Sequence, residues 1–141
     1  MESMRYKVVN ELTFGSVKLR EFEGINCKGA PLVQGFTSFT LTSILTAGYL
    51  REQLHLPLIG AITSSNLLPR CVIERGQPVH PIRIYGDTRM VVVLSEFKIE
   101  SQEVIYHIVE AILDFAQRHE VRDEKRFLSF AFLVVFNFSH F

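Results

Sequence analysis

Met90 to Leu94 reads MVVVL, an unbroken apolar run. A strand half in water alternates between its faces with a period of two, so a run without alternation marks a strand covered on both sides. A chain holding such a strand must place one layer above it and another below. The neighbouring sequence shows where those layers come from. Upstream, Pro78 and Pro81 bracket His80, Ile82 to Tyr85 (IRIY) forms a short extended run, and Gly86-Asp87 is a turn pairing. Downstream, Ser101 to His119 has the period of a helix. Val104, Ile105, Ile108, Val109, Ile112 and Leu113 share one face, while His107, Glu110, Asp114 and Gln117 lie mainly off it. Ser101 is placed to cap this helix, Glu103 sits at its positive end, and Arg118 and His119 occupy the last turn.

The same two periods recur earlier in the chain. Val17 to Phe22 (VKLREF) alternates like a half-exposed strand, and Pro31 to Gln34 (PLVQ) is a short apolar strand that Gly35 ends. Thr40 to Leu54 is a helix, capped by Thr37, Ser38 or Thr40. Its apolar stripe of Leu41, Ile44, Leu45, Gly48 and Tyr49 is expected to lie against a sheet, with Gly48 allowing close approach and Arg51-Glu52-Gln53 facing solvent. Leu58 to Thr63 (LIGAIT) is the next buried strand. Cys71 to Glu74 (CVIE) and Ile82 to Tyr85 are expected to pair as an antiparallel ribbon, with Arg75-Gly76-Gln77-Pro78 as the turn. Strand, helix, strand, ribbon, strand, helix indicates an α/β fold with a partly parallel sheet flanked by helices.

A length of 141 residues suits a single domain, 1–141. The fifteen Lys and Arg balance the fifteen Asp and Glu. No global field therefore favours nucleic acid or an acidic membrane surface. No apolar window is long enough to span a bilayer as a helix, and the expected address is the cytoplasm. Cys27 and Cys71 are far apart and fit no metal-ligand spacing. The mixed cluster Arg118 to Arg126 reads as a solvated helix end and loop. Six of the twelve Phe fall between Phe127 and Phe141. That segment is either a central strand after the last helix or an abnormal end left by a frameshift or truncation, and if exposed it is the main aggregation hazard.

Few residues carry chemistry. Gly35, Thr37 and Ser38 stand between a strand and a helix, where backbone N–H groups converge and an anion such as phosphate can bind. The spaced glycines of a dinucleotide site and the Gly-Lys-Ser/Thr end of a phosphate loop are both missing, so a structural turn is the plainer account. Ser64, Ser65 and Asn66 follow another strand end, a place where α/β folds hold ligands. His80 is the most singular histidine, and packing against the adjoining ribbon explains it best. No catalytic residue, metal ligand or cofactor is nominated.

Several segments together resemble the family of the second proteasome assembly chaperone, in its archaeal and bacterial branch. They are PLVQGF at Pro31 to Phe36, GYLREQL at Gly48 to Leu54, LIGAITSSNLLP at Leu58 to Pro69, CVIERGQPVHPIRIYG at Cys71 to Gly86, MVVVLSEF at Met90 to Phe97 and ILDFAQR at Ile112 to Arg118. The family-like core runs over about 32–119, and 120–141 is atypical. The resemblance implies an α/β sandwich like that of nucleoside phosphorylases, of which this chain is expected to hold a truncated, N-terminal part. It also implies a non-catalytic assembly factor whose partners are proteasome-like α subunits or further copies of the chain. Ser139-His140-Phe141 does not match the hydrophobic–tyrosine–any-residue tail by which some members dock. Two alternatives stay open: a small-ligand (phosphate or nucleotide) binding protein or enzyme using the strand-end loops, and a non-functional fragment.

Overall fold

A computed structural model describes residues 7–36, 42–65, 72–74, 76–95, 99 and 101–121. Within them, β1 (Val8–Phe14), β2 (Val17–Phe22), β3 (Leu32–Phe36), α1 (Thr42–Gln53), β4 (Leu58–Ser64), β5 (Val72–Glu74), β6 (Gln77–Val79), β7 (Ile82–Gly86), β8 (Val91–Ser95) and α2 (Gln102–Arg118) follow in chain order. One sheet of six strands has the order β1-β2-β4-β7-β8-β3, and β5 and β6 form a separate pair. Only β3 and β8 run parallel as neighbours, and every other pairing in the large sheet is antiparallel. The sheet is therefore mixed, as the alternation of elements indicates.

The MVVVL run behaves as its composition requires. All of β8 is buried, with Val91 and Val93 in one apolar cluster and Val92 and Leu94 in another. The first cluster is closed by α2, through Val104, Ile105, Ile108, Ala111, Ile112, Phe115 and Ala116. The second lies on the opposite face, where Ala47 of α1 joins Phe22, Leu58, Ala61 and Tyr85. α1 packs on β3 and β8, while α2 packs on β2 and β1. The Ser101 hydroxyl caps α2 as expected, accepting from the Val104 N–H at 3.3 Å.

Several expectations are corrected. The ribbon joins β5 to β6, not to Ile82–Gly86, because Gly76 at φ 77° closes a tight turn between adjacent short arms. Ile82–Gly86 lies instead between β4 and β8, and all of its residues are buried, an environment found only inside the large sheet. β1 has no counterpart in the sequence reading, since it is an edge strand with mostly exposed residues and no clean alternation. Gly35 does not end β3 but lies within it, buried opposite Leu94. The stripe on α1 is also turned. Leu45 and Tyr49 face outward, Ala47 faces the sheet, and a Cβ on Gly48 would meet nothing within 4 Å among the described residues. Thr37, Ser38, Thr40, Leu41, Asn66, Cys71 and the segment from Phe127 to Phe141 lie outside the described residues.

Candidate functional site

β3, β4 and β8 point the same way, because β7 is antiparallel to both β4 and β8. Their carboxyl ends form the edge where open α/β sheets place ligands. The pairing register lines up Arg20, Ala61, Arg83, Leu94 and Gly35 as one row across the sheet. The backbone pleat sends paired residues to the same face, so Gly35 shares a face with two arginines. Arg83 is completely buried, and its Nη1 donates to the Tyr85 hydroxyl at 3.0 Å. The Arg51 guanidinium also lies 4.6 Å from the Tyr85 ring centroid, within cation–π range. Arg51 thus turns inward from α1 rather than to solvent, and its side chain is only 17% exposed. His80 stands nearby, half-buried. Burial first, then the charges of Arg20 and Arg83, hold its pKa below the usual histidine value. Ser64 closes β4, and its hydroxyl meets that of Ser16 at 3.4 Å. Of the expected anion-site residues, Gly35 lies in this row, while Thr37 and Ser38 lie outside the described residues. The Arg-x-Tyr spacing in IRIYG, which puts both side chains on one strand face, is the signal that could have pointed to this cluster.

A second polar centre was not foreseen. Glu21 on β2 is 2% exposed. Arg118, at the end of α2, grips its carboxylate with two nitrogens: Nη1 donates to Oε2 at 3.1 Å and Nη2 donates to Oε1. Arg118 Nε donates to Asp114 on the preceding turn. Asn10 Nδ2 of β1 adds a longer bond to Oε2 at 3.4 Å. Nε2 of His119 lies 3.2 Å from Oε1, within ion-pair distance. Burial pushes the Glu21 carboxyl up, but hydrogen bonds and charge from Arg118 and His119 together outweigh it and leave its pKa lowered. Arg118 and His119 are therefore not simply a solvated helix end. Cys27 lies in the same region, and burial followed by the Glu21 charge pushes its thiol up to about 11. A thiol held protonated is a poor nucleophile.

The third feature is apolar. On the outer side of α1, Leu45 is 70% and Tyr49 63% exposed. They stand one helical turn apart and so share a face. Among the described residues, no group of His, Cys, Asp and Glu has the arrangement of a metal site. Among the described residues, no helix is long and apolar enough to cross a membrane.

The sequence profile of the PAC2 family matches residues 32–123. That span is more than half of the chain. The chain belongs to the PAC2 family. Solved structures share its architecture. Pyrococcus furiosus PbaA, an archaeal homolog of proteasome-assembly chaperone, is 21% identical with a TM-score of 0.64, over 74% of this chain and 45% of PbaA. A Thermoplasma acidophilum protein with unknown function is 26% identical with a TM-score of 0.61, over 68% of this chain and 40% of its own. Pyrococcus furiosus PbaB, an archaeal proteasome activator, is 14% identical with a TM-score of 0.64, over 76% of this chain and 48% of PbaB. For PbaA and PbaB the likeness establishes the fold. This PAC2-family chain spans less than half the length of each of these proteins. No curated protein matches it significantly.

Proposed function

We propose that this PAC2-family chain is an assembly factor for proteasome-type α subunits, acting through protein contacts rather than chemistry. The family match over 32–123 is the observation that carries this reading. The exposed Leu45 and Tyr49 on the outer side of α1 agree with it. The test is size-exclusion chromatography with light scattering, on the chain alone and mixed with cognate α subunits. A discrete complex of added mass is the expected result, and independent elution of both components would sink the proposal.

One observation favours a second reading, in which Gly35, Thr37 and Ser38 bind a phosphate or nucleotide as part of a nucleoside-phosphorylase-like sandwich. Arg83 and Arg20 lie in the same cross-sheet row as Gly35. Binding to the folded state alone would raise the melting temperature by mass action. A melting curve unmoved by millimolar phosphate, ATP and nucleosides would remove this reading.

A further inference from the structure

We propose that the apolar run Phe127 to Phe136 adds to the outer edge of β3 as a parallel strand, extending the six-stranded sheet by one. This goes beyond the assembly reading and is independent of it, because it concerns how the chain covers its own sheet.

The two edges of the sheet are unlike. β1 has the guards expected of an edge strand: its register shifts between Val8 and Asn10, and the charged Glu11 lies along it. β3 reads LVQGF, without a charge, a proline or a break in its register with β8. Among the described residues, β8 is its one neighbour in the sheet. The Val91 N–H bonds the Pro31 carbonyl at 2.8 Å. Alternate residues of a parallel strand face the same neighbour, so Val33 and Gly35 also turn to β8. Leu32, Gln34 and Phe36 therefore turn their backbone groups to the outer edge. Leu32, Val33 and Gln34 are half-buried, whereas Val91, Val92 and Val93 beside them are completely buried. An unguarded apolar edge is a template for one more strand.

The chain itself supplies that strand. α2 packs over β2 and β1, but the residues after it turn back across the sheet. The Gly29 N–H bonds the Glu120 carbonyl at 2.8 Å, and Lys28 pairs with the Glu120 carboxylate at 3.3 Å. Gly29 stands three residues before β3, so the chain leaves Val121 beside the amino end of that strand. Arg122 to Arg126 (RDEKR) can span up to about 17 Å. That is several times the strand spacing of about 4.8 Å. Phe127 to Phe136 (FLSFAFLVVF) then forms an apolar run interrupted only by Ser129, and such a run needs cover on both faces. β3 lies between such covers, with α1 on one face and Leu32 packed into the cluster beneath α2 on the other. Chirality selects the same edge. α1 and α2 lie on opposite faces, so right-handed crossovers through them run in opposite directions along the sheet. The crossover through α1 leads from β3 to β4. One through α2 starts at β8 and leads the other way, past β3. A strand beside β1 would need the left-handed crossover, which only about 2% of such connections adopt. Pairing on β3 covers the sheet edge and the Phe-rich run at once, the two features that would otherwise draw copies together.

Amide hydrogen exchange of the whole chain, read residue by residue by NMR, tests this. The Leu32 and Gln34 amides, and alternate amides of Phe127 to Phe136, should exchange at least about 100-fold more slowly than exposed ones. Their rates should not change on about tenfold dilution, because pairing within one chain does not depend on concentration. Phe130→Pro and Ala131→Pro remove donors on neighbouring residues, only one of which faces β3. One variant should speed Leu32 and Gln34 by at least about tenfold and the other much less, while the amides between β2 and β4 stay slow in both. Fast exchange throughout Phe127 to Phe136 in the wild type overturns the proposal, and this arm needs no variant to fold. Protection that falls on dilution overturns it too, since it shows strands paired between copies. So do Leu32 and Gln34 rates that neither proline alters. Binding to α subunits is read separately, so either proposal can fail alone.

Discussion

At the scale of single residues, Glu21 determines the most. Its carboxylate sits almost without exposure, and two nitrogens of Arg118 hold it from 97 residues further along the chain. Replacing the carboxylate by an amide removes the charge-assisted bonds from Arg118, which are stronger than neutral ones. Glu21→Gln should therefore destabilise the fold by about 2–3 kcal/mol at neutral pH, read from urea unfolding. The pH dependence follows from the lowered pKa of Glu21. Its contribution is complete above the unfolded carboxylate value of about 4.3. It is lost as pH falls through the lower, folded value. The gap between wild type and Glu21→Gln should thus narrow on acidification below about pH 4. A gap that stays constant down to the acid transition would show that Glu21 is not ionised in the folded state. Neither partner declares itself in sequence. VKLREF shows only alternation, and Arg118 belongs to a mixed charge run that reads as solvated surface. The pairing depends on a contact between β2 and the far end of α2.

At the scale of elements, both helices stop in the same way. After α1, the Leu56 N–H bonds the Arg51 carbonyl at 3.1 Å and the His55 N–H bonds that of Glu52 at 3.2 Å. After α2, the Val121 N–H bonds Ala116 at 2.9 Å and the Glu120 N–H bonds Gln117 at 3.4 Å. This is the Schellman pattern, in which the residue after the helix takes a left-handed conformation and the next apolar residue tucks inward. Here the left-handed residues are His55 at φ 50° and Glu120 at φ 53°, neither of them glycine. Leu56 and Val121, which follow, are buried. His55→Gly and Glu120→Gly should each stabilise the protein by about 0.5–1 kcal/mol, because relief of the left-handed cost exceeds the added entropy of the unfolded chain. Thermal or urea unfolding of each variant checks this, and a loss of stability in both would contradict it. The missing glycines also explain why these helix ends are hard to read from sequence. By contrast, α2 starts where Ser101 and Glu103 indicate, because an N-cap is a local interaction. α1 shows the limit of periodicity. Its pattern fixed a helix, but the residues facing the sheet centre on Ala47 rather than on Leu45 and Tyr49.

At the scale of the whole molecule, the sheet separates two apolar clusters, one under each helix. Cys27 lies in the cluster beneath α2 at 1% exposure, with its thiol raised to about 11. Its alkylation should therefore report opening of the protein rather than surface chemistry. In the Cys71→Ser chain, iodoacetamide labelling of Cys27 at pH 8 should be negligible under native conditions and rise in step with urea unfolding. Rapid labelling of the folded chain would show that the region around Glu21 opens locally.

The sequence by itself determined that this is a mixed α/β sheet with a strand buried on both faces and an amphipathic helix over Ser101 to His119. It also pointed to the family, which the match over 32–123 shows. Those properties live in period, capping and local composition, each decided within a few residues. Only the tertiary structure decided that β7 lies inside the large sheet, that Gly35 shares a row with Arg83, that Glu21 is held by Arg118, and that Tyr49 faces outward. Each of these depends on which distant segments come together. Burial and pairing between segments are set by the free energy of the whole chain, and no local pattern carries them.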